Sequence, residues 1–146
     1  MCHVDSRFRY PGYHLGVKAP RPQRTIVSFV RRNTRMNDSQ RAAWDRHRNH
    51  FLIDVPTAEM ETSIADDAHV DWDAVFGRQA PRIVEIGSGN GDSLVPMAAA
   101  RPENDFIAFE VFPPGIASTM GRLGREGVDN VRIVPANGAQ GLAVLF

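Results

Sequence analysis

Glu85 stands two residues ahead of the run Gly87-Ser-Gly-Asn-Gly91, and Glu110 follows that run by nineteen positions. Closely spaced glycines let a backbone take positive φ and approach a small ligand without Cβ atoms in the way. A dinucleotide fingerprint reads G-x-G-x-x-G, and its third glycine packs the helix onto the strand. Here that third place is Asp92 and the spacing is G-x-G-x-G. A pyrophosphate held at a helix N-terminus would be repelled by acids at this spot. A ligand carrying positive charge would be drawn to them. S-adenosylmethionine (SAM), with a sulfonium and an α-ammonium group, fits a loop preceded by Glu85. Glu110, at the end of the next apolar run, is placed to accept from both ribose hydroxyls. Asn137 follows the third run and offers an acceptor and a donor to an adenine edge. Two other readings stand beside this one: a different nucleotide, or a glycine turn that only connects two elements.

The elements needed to hold these residues are legible as a rhythm. Arg82–Ile86 is short and β-branched, a buried strand. Asp92 or Ser93 starts a helix running to Arg101, with Pro102 beyond it. Asp105–Val111 is a second strand, and residues 115–126 a second helix, opened by Pro113 and Pro114 and stopped by Gly127. Asn130–Pro135 is a third strand, and Gly138–Phe146 begins another helix. Alternation of this kind predicts an α/β fold, a doubly wound, mostly parallel sheet of Rossmann-like type. Three strands are fewer than such sheets usually have.

Upstream the character changes. Residues 1–50 hold eleven Lys and Arg against three Asp and Glu, while residues 51–146 hold six against fourteen, so a net charge of zero hides a split. A basic arm of this kind suits a polyanion. Residues 1–24 read as a disordered tail. Residues 25–53 read as a basic arm and a helix that Asp38 or Ser39 caps, burying Ala43, Trp44, His47 and Phe51. Residues 54–80 read as an acidic linker, with seven acids and no Lys or Arg between 54 and 73. The last 66 residues form the ligand domain. Arg31, Arg32 and Arg35 are candidate phosphate contacts, or else a solvated arm lying against the acidic stretch. His47 and His50 lack a third ligand and are not expected to hold a metal. Trp44 is a core residue rather than a stacking platform. Asp92 is a helix cap before it is a substrate-orienting acid.

No apolar run approaches the roughly 18 residues of a membrane helix, and no secretory leader is recognisable. A single cysteine, Cys2, excludes an internal disulfide. These features point to a reducing, cytoplasmic setting without membrane contact.

Ile83-Val-Glu-Ile-Gly-Ser-Gly-Asn-Gly-Asp-Ser-Leu-Val95 followed by Met97-Ala-Ala resembles motif I of the bacterial tRNA (guanine-N7-)-methyltransferase family. Phe106-Ile-Ala-Phe-Glu-Val-Phe112, Pro114-Gly115 and Asn130-Val-Arg-Ile-Val134 are similar to later segments of that family. Ser28-Phe-Val-Arg-Arg32, Arg35-Met36 and Gln40-Arg41 look like its basic N-terminal block. The resemblance covers residues 25–146 and implies a class I fold, SAM as donor and tRNA as partner, with N7 of a variable-loop guanine as acceptor. It puts cofactor contacts on Glu85, Gly87, Gly89, Gly91, Glu110 and Asn137. The family commonly has Asp where this chain has Asn137. Its Asp-Pro-Trp motif, which carries the proposed catalytic acid, lies after a fourth strand, so the resemblance implies an N-terminal portion with no catalytic residue of its own. Such a portion is expected to be inactive and poorly soluble alone. The alternatives are a non-catalytic SAM- or RNA-binding fragment, or a SAM methyltransferase with another substrate.

Overall fold

The computed structural model describes residues 34–58 and 62–146. Three short strands, β1 (Arg82–Ile86), β2 (Asp105–Phe109) and β3 (Val131–Val134), form one parallel sheet in the order β1-β2-β3. Glu85 lies opposite Ala108, and Ala108 opposite Ile133. All five residues of β2 are buried, because the central strand of a parallel sheet has helices over both faces. The expected α/β alternation is therefore realised.

Side-chain alternation divides the sheet into two cores. Phe106, Ala108, Val131 and Ile133 face α3 (Leu94–Ala99) and α4 (Pro113–Glu126), where Leu94, Val95, Ile116, Met120 and Leu123 cover them. Ile107, Phe109 and Val134 face the other way, onto α2 (Trp72–Phe76) and α5 (Gly138–Leu145). Ile64, Ala68 and Trp72 complete that second layer. Most of residues 62–71 lack regular structure, yet Ile64 is fully buried. The stretch is acidic on its solvent side and packs its few apolar residues inward. Trp72 donates its indole N–H to the Leu145 carbonyl at 3.1 Å and stacks on Phe146, tying that layer to α5.

α1 (Asp38–Phe51) packs on α4 outside the first core. Its cap is not Asp38 or Ser39 but Asn37, which accepts from the Gln40 amide at 2.8 Å while Gln40 returns a bond at 3.0 Å. The reciprocal capping box outcompetes a single side-chain cap because it satisfies two amides at once. Phe51 is the buried anchor, and Trp44 packs against the core from a half-buried position. Gly121 and Gly124 let the two helices close. A Cβ on Gly124 would stand 2.5 Å from the His47 ring, and one on Gly121 would stand 3.2 Å from the Ala43 Cβ. No helix among the described residues is long and apolar enough to cross a membrane, and none of their His, Cys, Asp or Glu clusters suits a metal ion.

Candidate functional site

The loop after β1 is held at three points. The Gly87 amide donates to the Phe109 carbonyl at 2.7 Å, continuing the β1–β2 ladder past the last strand residue. The Gly91 amide closes a tight turn on the Ser88 carbonyl at 2.9 Å. The Gly89 amide donates to Glu110 Oε2 at 2.7 Å. Gly87, Gly89 and Gly91 have φ of 77°, 57° and 76°. That is the left-handed region, where an L side chain is disfavoured. At Gly91 space is short as well, since a Cβ there would come within 2.8 Å of Thr119 Oγ1.

The first turns of α4 brace the loop from the side. Thr119 donates its hydroxyl to the Gly89 carbonyl at 3.2 Å. Gly115 lies so close that a Cβ would approach the same carbonyl oxygen to 2.7 Å. Gly115 and Thr119 are support residues that spacing does not reveal, because their partner is some thirty positions away. The one sequence hint is a glycine just after a proline-opened helix start.

Both acids lie where the strands end. Glu110 accepts three amide protons: Gly89 on Oε2, and Val111 and Phe112 on Oε1 at 2.8 and 2.9 Å. A carboxylate has about four lone-pair sites, so one acceptor direction remains. Glu85 differs. Its Oε2 is buried with no hydrogen-bond partner among the described residues, and burial pushes its pKa above the ordinary carboxylate value. Ser88 Oγ is likewise buried and unpartnered. Orphaned polar atoms are rare in native interiors and ask for a partner. Two such atoms lie within four positions, one just ahead of the glycine turn and one inside it. A cationic ligand with hydrogen-bond donors meets this need, whereas a phosphate would add negative charge beside Glu85.

The remaining candidates fall into different places. Asn137 sits beyond β3, at the same sheet end as Glu85 and Glu110, and its Oδ1 caps α5 by accepting from Ala139 and Gln140 at 3.0 and 3.4 Å. Asp92 does not cap α3; Ser93 holds the cap position without a side-chain bond, and Asp92 reaches across to pair with Arg122 of α4. The cross-element pair satisfies its charge better than the exposed first turn of a six-residue helix. Arg35 is exposed just ahead of α1, while Arg31 and Arg32 lie outside the described residues. A cavity of about 430 Å³ opens at the opposite end of the sheet, lined by Arg78, Asp105, Asn130 and Arg132. It lies at the start of the strands, away from the loops where open α/β sheets bind ligands.

The family model "Putative methyltransferase" matches residues 79–146, the stretch that contains β1, the glycine loop, Glu110 and Asn137. A tRNA (guanine-N(7)-)-methyltransferase of Cutibacterium acnes is 45% identical over 149 residues, covering 98% of this chain and 54% of its own length. One of Paenarthrobacter aurescens is 49% identical over 111 residues, covering 76% of this chain and 37% of the relative. One of Nitrosococcus oceani is 42% identical over 115 residues, covering 79% and 43%. This chain thus spans about half the length, or less, of the curated relatives it matches. With a three-stranded parallel sheet, a three-glycine loop braced by Glu110, and this degree of identity over nearly its whole length, the chain is similar to the part of the tRNA (guanine-N(7)-)-methyltransferases that it matches.

Proposed function

We propose that this chain supplies the donor-binding part of an enzyme that methylates N7 of a tRNA guanine, with SAM as the donor. The observation that carries the reading is the buried, unpartnered Glu85 carboxylate oxygen two residues ahead of the positive-φ glycine loop. The names of the relatives support the tRNA acceptor.

When bound, SAM supplies a methyl group on a sulfonium sulfur, and guanine N7 accepts it through an exposed lone pair without prior deprotonation. Glu85 meets the positive charge of the donor, which favours its ionised form against the desolvation that raises its pKa. Gly87, Gly89 and Gly91 bring backbone close where side chains would block it. Glu110 keeps its loop-bracing bonds and offers its remaining acceptor direction to a ribose hydroxyl. Asn137 stands at the adenine end. No residue here is assigned a proton transfer, so the contribution of these residues to rate is positional. A cytoplasmic location goes with a tRNA substrate.

Titration calorimetry on the full chain tests the reading. Heat on adding SAM is expected, with weaker binding for Glu85→Gln and Glu110→Gln. Heat with a nicotinamide dinucleotide and none with SAM would overturn it.

A further inference from the structure

The groove between α1 and α4 has no role in the donor site. Two adjoining cavities, of about 290 and 440 Å³, share Ser39, Ala43, Gly121 and Arg125 and so run on as one channel. One end opens at Asn90 and Asp92 in and beside the glycine loop. The other end lies at Arg46, His47 and Gly124. Its walls are small side chains, with arginines placed along them.

The arginines are not equivalent. Arg122 is neutralised by Asp92 and lies near Glu126. Arg46 and Arg125 are exposed, and neither has an ion pair or a hydrogen bond among the described residues. Arg125 folds back along its own helix, with its guanidinium 3.5 Å from where a Gly121 Cβ would stand. The section holding Arg46 and Arg125 has no acid in its lining, although Asp45 neighbours Arg46 along α1. Two unneutralised guanidinium groups along the section of the groove that has no acid in its lining suit an anion. A guanidinium fork suits phosphate oxygens. The walls carry no Trp, Tyr or Phe, and the ring they do carry, His47, lies flush against Gly124, so contact would be to the backbone of a strand and not its bases. The basic first 36 residues enter α1 at Asn37, which lines the same groove.

We propose that the α1–α4 groove holds the phosphodiester backbone of an RNA strand, with Arg46 and Arg125 as phosphate contacts, and leads that strand toward the glycine loop. This rests on the tRNA reading above and adds the surface that reading lacks. Both residues are exposed, so replacing them does not disturb a core.

The test is fluorescence anisotropy of the full chain with an unmodified tRNA transcript across a KCl series, without donor. It compares wild type, the double variant Arg46→Gln/Arg125→Gln, and Arg101→Gln as an exposed arginine at the other end of the sheet. The double variant is expected to bind about tenfold or more weakly at low salt, with a salt slope smaller by about two. Arg101→Gln is expected to keep the wild-type slope. An unchanged slope in the double variant, or an equal loss in Arg101→Gln, would overturn the groove assignment while leaving wild-type tRNA affinity and SAM heat intact. A wild type that binds SAM but no RNA would overturn both the groove and the tRNA reading. Saturable binding of inorganic phosphate alone, with RNA binding unaffected by the double substitution, would reassign the groove to a small anion and overturn the proposal.

Discussion

Glu110 Oε2 accepts from the Gly89 amide at 2.7 Å, so the end of β2 grips the loop that follows β1. The bond crosses from one strand end to another, and the other carboxylate oxygen is pinned by Val111 and Phe112. The carboxylate that follows β2 is therefore the clasp that shapes the glycine loop. Glu110→Gln keeps one acceptor oxygen but removes the charge that strengthens all three bonds. Charge-assisted bonds are worth about 1.5–3 kcal/mol each. Faster amide hydrogen exchange at Gly89 is expected in the variant, together with a SAM affinity loss of about tenfold or more. Unaltered exchange at Gly89 would show that the clasp does not hold the loop.

Gly91 combines a positive φ with a crowded neighbour. Gly91→Ala is expected to lower unfolding stability by about 1–3 kcal/mol, from left-handed strain and from contact with Thr119. The two parts separate in a double-mutant cycle. Thr119→Ala should return the steric part in the Gly91→Ala background and leave the conformational part. Urea denaturation of the four proteins gives the coupling, and strict additivity would argue against the contact.

Burial sets the sign of the Glu85 pH dependence. Its folded-state pKa is raised above the ordinary 4.5, so the native state holds the proton more tightly than the unfolded chain. The stability this contributes is full below the ordinary value and is lost as pH rises through the raised one. The difference in stability between wild type and Glu85→Gln should therefore drift against wild type as pH climbs through that window. A cationic donor pulls the other way, so SAM binding should release protons within the same window. Calorimetry in two buffers of different ionisation enthalpy reads that release, and it should vanish in Glu85→Gln.

Gly124 tests whether tertiary contact overrides local propensity. Glycine to alanine inside a helix ordinarily stabilises by about 0.5–1 kcal/mol. Here the new Cβ would meet the His47 ring at 2.5 Å. Gly124→Ala is expected to destabilise, and His47→Ala should turn the same substitution stabilising. Thermal unfolding of the single and double variants decides it.

Much of this protein was legible in one dimension. The three strands, the helices between them and the breaks at Pro102, Gly127 and Pro113 follow from apolar spacing and from backbone restrictions of single residues. The need for glycine at 87, 89 and 91 is local too, since positive φ belongs to the residue that bears it. The acid at the end of β2 needed only a count from the loop.

What spacing left open are pairings between residues far apart along the chain. Gly115 and Thr119 brace Gly89 because α4 crosses the loop, and nothing near position 115 says so. Asp92 looks like a cap until Arg122 is placed beside it. The acidic stretch around Ile64 shows no period, yet it closes the second core because a parallel sheet has two faces to cover. Asn137 lies at the same sheet end as Glu85 and Glu110 by its position, but its oxygen is claimed by α5. Local geometry depends on the residue itself, whereas burial and pairing depend on which distant surfaces the sheet brings together. The amino-acid order alone therefore determined the elements and the loop. Only the folded arrangement decided that Glu110 is spoken for on three sides while Glu85 is not.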